Sequence, residues 1–472
     1  MVFSSAEFLF IFLPLFLIAY VLGHRIRNLA LLLFSLLFYY VGEGYFLMVM
    51  LVSITANYTA GLFLGSQSEN TRKIALWLGL AANLLMLIYY KYIGFLFYDV
   101  FQLPENEVIS NVHLPIGISF FTFQGMSYLI DVYRGDAKSE KSILRLATYI
   151  AMFPQLIAGP IVRFSTVARD LKRRLVRPRH IYFGFIFFCV GLAEKVLLAD
   201  TVAEIADQIY AQTPADLNAS AALLGGIAYF FQIFFDFSGY SAMAIGLGLI
   251  LGFKFPRNFN FPYISQSITE FWRRWHISLS SWFRDYVYIP LGGNRLGVQK
   301  TYRNLVAIFL LTGIWHGASW NFVIWGLWHG LFMLIERAGF SAVLKKCWIG
   351  LRIIYMLLVV YIGWILFRAN DLGHALEMMG QHFDFNSSKM SAWMFLDNEK
   401  MLVLAASVIF CTPLVMTLSK TFLAPPEYGA WNKKTIPTRK YVIGCTVCVI
   451  LLVLSSLKIL SGAYSPFIYF RF

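Results

Sequence analysis

The chain has 472 residues and a mass of 54.0 kDa, is 59% hydrophobic and 18% aromatic, and carries 14% charged residues with a mean hydropathy of +0.65. Soluble domains carry about a quarter of their residues as Asp, Glu, Lys or Arg. The charges here are too few to coat a water-soluble globule of this size, and the Phe, Leu and Trp content excludes a disordered or collagen-like chain. A multi-spanning membrane protein remains. Its 39 basic against 25 acidic residues, a net +14, fit cytoplasmic loops rather than a nucleic-acid surface, because the basic residues collect in short loops between apolar stretches.

The first apolar stretch, residues 6–23, is as long as the roughly 17–25 residues a spanning helix needs. Glu7 stands at its start and no basic residue precedes it, so it lacks the basic n-region of a secretory signal. Arg25 and Arg27 follow at once. The positive-inside rule then places the N-terminus outside the cytoplasm and Arg25 inside. Further apolar segments lie near 29–42, 46–65, 74–99, 114–133, 146–162, 181–199, 221–235, 238–253, 305–336, 350–368, 401–419 and 441–460. Together they predict an all-α polytopic bundle of about ten or eleven crossings with re-entrant and interfacial helices, one integral-membrane domain over 1–472.

Pro154, Gly159 and Pro160 interrupt one of these segments, and 305–336 reads as more than one element. Gly248 and Gly252 form a GxxxG pair, expected to be a helix-packing contact. The five cysteines (Cys189, Cys347, Cys411, Cys445 and Cys448) are scattered. The C-x-x-C at 445–448 lies in an apolar run and reads as buried thiols, with no metal or redox role.

Two basic blocks stand out. Residues 163–179 hold Arg163, Arg169, Lys172, Arg173, Arg174, Arg177 and Arg179 against Asp170, net +6, and read as a topological anchor on anionic lipid. Residues 254–303 also carry a net +6, with Lys254, Arg257, Arg273, Arg274, Arg284, Arg295, Lys300 and Arg303 against Glu270 and Asp285. Here the charges alternate with aromatic residues.

The chemistry concentrates in 236–337, the expected catalytic core. Ser267 and Glu270 have capping-box spacing, so a helix is expected to start there. Phe271, Trp275, Leu279 and Trp282 then form one apolar ridge, which predicts an amphipathic helix at the membrane interface. Arg273, Arg274 and Arg284 beside His276 either anchor that helix at the interface or receive an anionic substrate such as a phosphate-bearing cofactor. TGIWHGASWNFVIWGLWHG, residues 312–330, holds two Trp-His-Gly triplets. His316 and His329 are ionisable groups at membrane depth and therefore candidate functional residues. Thirteen residues turn a straight helix about 220° past three full turns, so the two imidazoles do not share one face and a two-histidine metal site is not expected. Asp236, in FFDFSGYSAMAIG, either orients an imidazole or braces its helix through Ser238 and Tyr240, with bracing favoured. An imidazole with an ordinary pKa of about 6.5 suits deprotonation of an alcohol that attacks a thioester. No G-x-S-x-G motif is present to support a hydrolase-type serine.

These stretches carry a family resemblance. MVFSSAEFLFIFLP, LPIGISFFTFQGMSYLIDVYRG, FPQLIAGPIVRF, FDFSGYSAMAIGLGLILGF, NFNFPYISQSITEFWRRWHISLSSWFRDYVYIPLGGNR, GIWHGASWNFVIWGLWHG and the closing PFIYF resemble the membrane-bound O-acyltransferase superfamily over essentially the whole chain. The likeness is greatest to the membrane subunits of alginate O-acetylation systems. The resemblance implies that His316 matches the family's essential intramembrane histidine. It also implies that His276 matches the upstream histidine shared with teichoic-acid D-alanyl transfer proteins. Trp275, Asn304, Trp315 and His329 join Arg273 and Arg274 as candidate substrate contacts. Ala242 departs from the Asp that many alginate-type relatives carry there, which bears on acceptor or partner preference. The implied activity takes acetyl from cytoplasmic acetyl-CoA, with no bound cofactor, toward an exported polysaccharide. A periplasmic acetyltransferase or acceptor protein would complete the transfer. D-alanyl transfer to teichoic acid, or a transporter or flippase with proton-relay histidines, are the rival expectations.

Overall fold

The computed structural model describes residues 1–415, 417, 438–462 and 464–466, and among them only an isolated bridge between Leu217 and Met390 departs from helices and loops. The end of the 401–419 segment and all but the first residue of the closing PFIYF stretch lie outside the described residues. Six helical segments are long and apolar enough to cross a bilayer: Arg27–Leu64, Glu69–Tyr92, Pro178–Tyr210, Ala219–Ile250, Ile349–Arg368 and Thr438–Leu460. Arg27–Leu64 is itself two helices broken at Gly44, so these segments are not a count of the ten or eleven crossings expected. The segments 221–235 and 238–253 are a single 32-residue helix.

The chain forms two compact units, residues 1–188 with 240–256, and residues 189–239 with 257–472. In the first unit the helices are α1 (Phe8–Leu22), α2 (Arg27–Glu43), α3 (Leu47–Leu64), α4 (Glu69–Tyr92), α5 (Ile118–Arg134), α6 (Ile143–Ala151) and α7 (Phe164–Lys172). Its core starts from a four-residue aromatic period. Phe8, Phe12 and Phe16 share one face of α1 and meet Phe153 edge-on at 6.0, 5.3 and 5.0 Å between ring centroids. Asn57 on α3 and Asn83 on α4 exchange hydrogen bonds of 3.1 and 2.9 Å. Each buried amide thereby satisfies the other where no water reaches.

Two expectations change in this unit. Gly252 follows the helix end with φ 87° and faces Val176, and a Cβ on Gly248 would meet the Phe255 ring at 2.8 Å, so this GxxxG pair packs against two loop segments rather than another helix. The helix-packing glycines are elsewhere: a Cβ on Gly246 would lie 2.5 Å from the Gly184 carbonyl. Within the basic block, Arg174 has a structural contact besides any lipid. It donates to the Tyr20 hydroxyl at 2.8 Å and lies 4.5 Å over the Phe253 ring.

The second unit contains parts of α8 (Pro178–Tyr210) and α9 (Ala219–Ile250), then α10 (Ile268–Arg274), α11 (Ile277–Phe283), α12 (Val298–His316), α13 (Trp320–Ile335), α14 (Ile349–Arg368), α15 (Leu372–Gln381), α16 (Asn398–Phe410) and α17 (Thr438–Leu460). Its core is aromatic, with Tyr229, Phe235, Phe271, Trp275, Trp325 and Trp364 all buried. α12 and α13 form an antiparallel hairpin, with Gly313 facing Gly326 and Phe309 facing Gly330. The hairpin turns at Gly317, where a Cβ would lie 2.1 Å from the Phe322 ring. The glycine of the first Trp-His-Gly triplet is therefore fixed by close approach. At Glu194–Ala199 helix α8 widens into a π-turn. There Lys195 pairs with Asp200 at 2.5 Å and Asp236 at 2.7 Å, all three buried.

Candidate active site

The stretch 268–283 is not the single interfacial helix its ridge predicts. Ser267 does cap it, accepting from the Glu270 amide at 3.0 Å, but α10 ends at Arg274 and α11 begins at Ile277. Phe271, Trp275, Leu279 and Trp282 are buried rather than lipid- or water-facing. The break is His276 itself, in the left-handed region at φ 43° and ψ 53°. A non-glycine residue there is strained, and it persists only when its surroundings hold it.

The holding segment is 257–260, which runs beside the break. The Ile277 amide donates to the Asn258 carbonyl at 2.9 Å, and the Asn260 amide to the Arg274 carbonyl at 2.9 Å. Asn258 Oδ1 lies 3.1 Å from His276 Nδ1 and accepts from the Ser278 amide at 3.2 Å and the Ser278 hydroxyl at 2.8 Å. Each helix has seven residues and is too short to cross a bilayer. Burial alone lowers the His276 imidazole far below its usual value, toward the neutral form.

His316 is the last residue of α12, and the turn after it frees its angular relation to His329 from the straight-helix arithmetic. Its ring centroid lies 6.4 Å from that of His276, 4.9 Å from Trp325 and 5.3 Å from Phe367. Trp315 stands 6.0 Å from His276 and 4.9 Å from His316. The two histidines that the motifs single out, 40 positions apart in sequence, are thus brought together inside an aromatic wall.

His329 is placed differently. Its ring sits among Trp272 at 5.2 Å, Trp325 at 5.2 Å and Phe271 at 6.3 Å, fully buried, and neither ring nitrogen has a hydrogen-bond partner among the described residues. A Cβ on Gly363 of α14 would come within 2.6 Å of its Nε2.

Several candidate contacts are already occupied. Asn304 donates from Nδ2 to the Leu291 and Gly293 carbonyls at 3.1 and 3.0 Å and accepts from Arg303, so it fastens α12 to the preceding loop. Trp275 is core, stacked on Phe271 at 5.6 Å. Arg284 is held bidentately by Asp285 at 2.6 and 3.0 Å. Arg274 pairs with Glu270 at 2.8 Å and donates to the Asn260 carbonyl at 3.1 Å. Arg273 alone of the three guanidiniums is exposed with no partner among the described residues. Asp236 braces its helix, but against Lys195 rather than through Ser238, which donates to Glu194 at 2.8 Å.

Sequence reasoning missed Asn258, Trp325 and Phe367. Asn258 could have been found as one of two amides, with Asn260, in the aromatic N-F-N-F-P run. Phe367 comes from α14, more than 30 residues away, and no local pattern announces it. Among the described residues no three His, Cys, Asp or Glu side chains gather as metal ligands would.

The model of the membrane-bound O-acyltransferase family matches residues 75–372. The chain is 41% identical to a protein of Azotobacter vinelandii named "Probable alginate O-acetylase AlgI", with all of both chains covered. It is 33% identical to the peptidoglycan O-acetyltransferase of Helicobacter pylori over all of this chain and 98% of that one. It is also 30% identical to the teichoic acid D-alanyltransferase of Bacillus subtilis over 53% of this chain and 65% of that one. The chain belongs to the membrane-bound O-acyltransferase family and is a polytopic membrane acyltransferase.

Proposed function

We propose that this acyltransferase takes acetyl from acetyl-CoA at the cytoplasmic face of the bacterial inner membrane and delivers it for O-acetylation of an exported polysaccharide. A periplasmic partner would complete the transfer. The observation that carries the reading is the convergence of His316 and His276 from separate helices, with ring centroids 6.4 Å apart in a buried aromatic site. An acceptor hydroxyl attacking the thioester forms a C–O bond, breaks the C–S bond and leaves one proton to move from oxygen to sulfur. The histidine pair takes that proton from the hydroxyl and gives it to the leaving thiolate. His316 ends α12, where the negative end of the helix dipole favours a transient cation. Full-length relatives named for O-acetylation of alginate and of peptidoglycan support a polysaccharide acceptor.

The test is release of free thiol from acetyl-CoA by the purified protein with its periplasmic partner. His316→Ala is expected to lower the rate by about 10²–10⁴-fold while the protein remains inserted and monodisperse. Retention of more than about half of the wild-type rate would reject His316 as the proton acceptor.

A further inference from the structure

We infer that Asn258 is a positioning residue that holds His276 with its proton on Nδ1, so that Nε2 carries the lone pair in the space shared with His316. The inference rests on the acyl-transfer reading for its consequence, but not for its geometry.

The argument begins with the Ser278 amide. A backbone N–H can only donate, so the Asn258 atom 3.2 Å from it must be the carboxamide oxygen and not the NH2 group. That oxygen lies 3.1 Å from His276 Nδ1 and also accepts from the Ser278 hydroxyl at 2.8 Å. An amide oxygen has no proton to give, so Nδ1 is the donor. A neutral imidazole has one N–H, which makes Nε2 the acceptor. Nε2 is buried and meets no partner among the described residues.

The second observation is the backbone. Asn258 holds the C-terminal side of the left-handed break twice, through its carbonyl to Ile277 and its side chain to Ser278, while the Asn260 amide holds the Arg274 carbonyl on the other side. One residue therefore fixes both where the imidazole stands and which nitrogen is basic. Phe237 of α9 stands edge-on to the ring at 4.6 Å. Around it, His316 of α12 is the titratable group that faces it, at 6.4 Å. Asp236 of α9 is paired with Lys195, Arg274 with Glu270, and Arg257 donates to the Phe259 carbonyl. The amide of Asn258 thus sets the tautomer without adding a charge. A carboxylate in its place would hold the same proton and also favour the imidazolium.

The test uses the full chain in lipid nanodiscs with ¹⁵N-labelled histidine. The wild-type spectrum is expected to contain one neutral ring protonated on Nδ1 that vanishes in His276→Gln. A His276 protonated on Nε2 overturns the inference, whether or not the protein transfers acetyl. In the pH–rate profile, Asn258→Asp is expected to move the acid limb of kcat upward by about one pH unit or more, because more of His276 is protonated at any given pH. An unmoved limb overturns the inference. Asn258→Leu is expected to lower kcat by at least about tenfold with the acetyl-CoA KM within about twofold, and a wild-type kcat overturns the inference. If Asn258→Leu does not fold, the wild-type spectrum and Asn258→Asp decide. Absence of acetyl transfer by the wild type, with His276 in the expected tautomer, sinks the proposed function and leaves the assignment of Asn258 standing.

Discussion

Gly326→Ala should slow catalysis without adding any group to the reacting centre. Gly326 sits one residue after Trp325, whose ring lies 4.9 Å from His316. A Cβ built on Gly326 falls 2.3 Å from the Phe309 carbonyl and 3.0 Å from the Gly313 Cα. Real Cβ atoms essentially never approach closer than 3.0 Å, so 3.0 minus 2.3 requires at least 0.7 Å of movement between α12 and α13. The obstruction is backbone, which cannot rotate aside as a side chain can. His316 ends the helix that must move, three residues beyond Gly313. A misplacement of about 1 Å in a catalytic constellation costs roughly 10²-fold, and overpacking of this kind costs about 1–3 kcal/mol in stability. The expected result is a kcat lowered by about 10²-fold, a lower unfolding temperature and a protein still inserted. Gly380→Ala is the control, because a methyl group added to that helical glycine would have nothing within 4 Å. It should leave kcat unchanged and stabilise by about 0.5–1 kcal/mol. Equal kcat in Gly326→Ala and wild type would refute the claim that the spacing of this hairpin sets the position of His316.

Arg273→Ala is expected to raise the KM for acetyl-CoA more than it lowers kcat, the effect weakening with added salt because the guanidinium is exposed. Arg274→Ala should instead reduce the yield of folded protein, since it breaks the Glu270 and Asn260 contacts; an unchanged KM in Arg273→Ala would leave lipid anchoring as its role. Lys195→Met removes the cation that the buried carboxylates Asp200 and Asp236 share and should destabilise by about 3–5 kcal/mol. Adding Asp200→Asn and Asp236→Asn should recover much of the loss, and an unfolding temperature equal to wild type in Lys195→Met alone would contradict this. For orientation, Ser165→Cys in a chain without its native cysteines should resist an impermeant thiol reagent in intact cells, because the net +6 block beside it opposes export. Ser165 is exposed, so labelling without permeabilisation would reverse the proposed topology.

The fold class was legible because composition leaves few ways to solvate this chain, but element boundaries were not. Glycine marks a break in water, whereas Gly239 lies inside α9 because a Cβ there would fall 2.6 Å from the Gly191 carbonyl. The same residue type can end a helix or let two helices touch, and hydropathy does not distinguish the cases. At 275–276 the error runs the other way. The apolar ridge of Phe271, Trp275, Leu279 and Trp282 continues in register across the kink, so its period reports burial and not continuity. What breaks the helix is a set of hydrogen bonds from residues 258 and 260, which no local period encodes.

The site divides along the same line. His316 could be read from sequence because an ionisable group in apolar surroundings is costly, and cost is a local property; His276 stood out by its neighbours Arg273 and Arg274 and by the family resemblance. Which neighbours tune them is not local. His329 shares the triplet motif with His316, yet it is enclosed by Phe271, Trp272 and Trp325. His316 instead ends its helix and faces a second imidazole. Two identical triplets therefore differ in surroundings because of where the hairpin turns, and Gly317 sets that turn by admitting the Phe322 ring. Part of this was within reach of the sequence. Arg284 precedes Asp285, and Arg274 follows Glu270 by four positions on a helix, so each has an obvious partner and little claim on a phosphate. Arg273 has none at those spacings. Asking first which charges the chain already neutralises would have reduced three candidate guanidiniums to Arg273, which has no partner among the described residues.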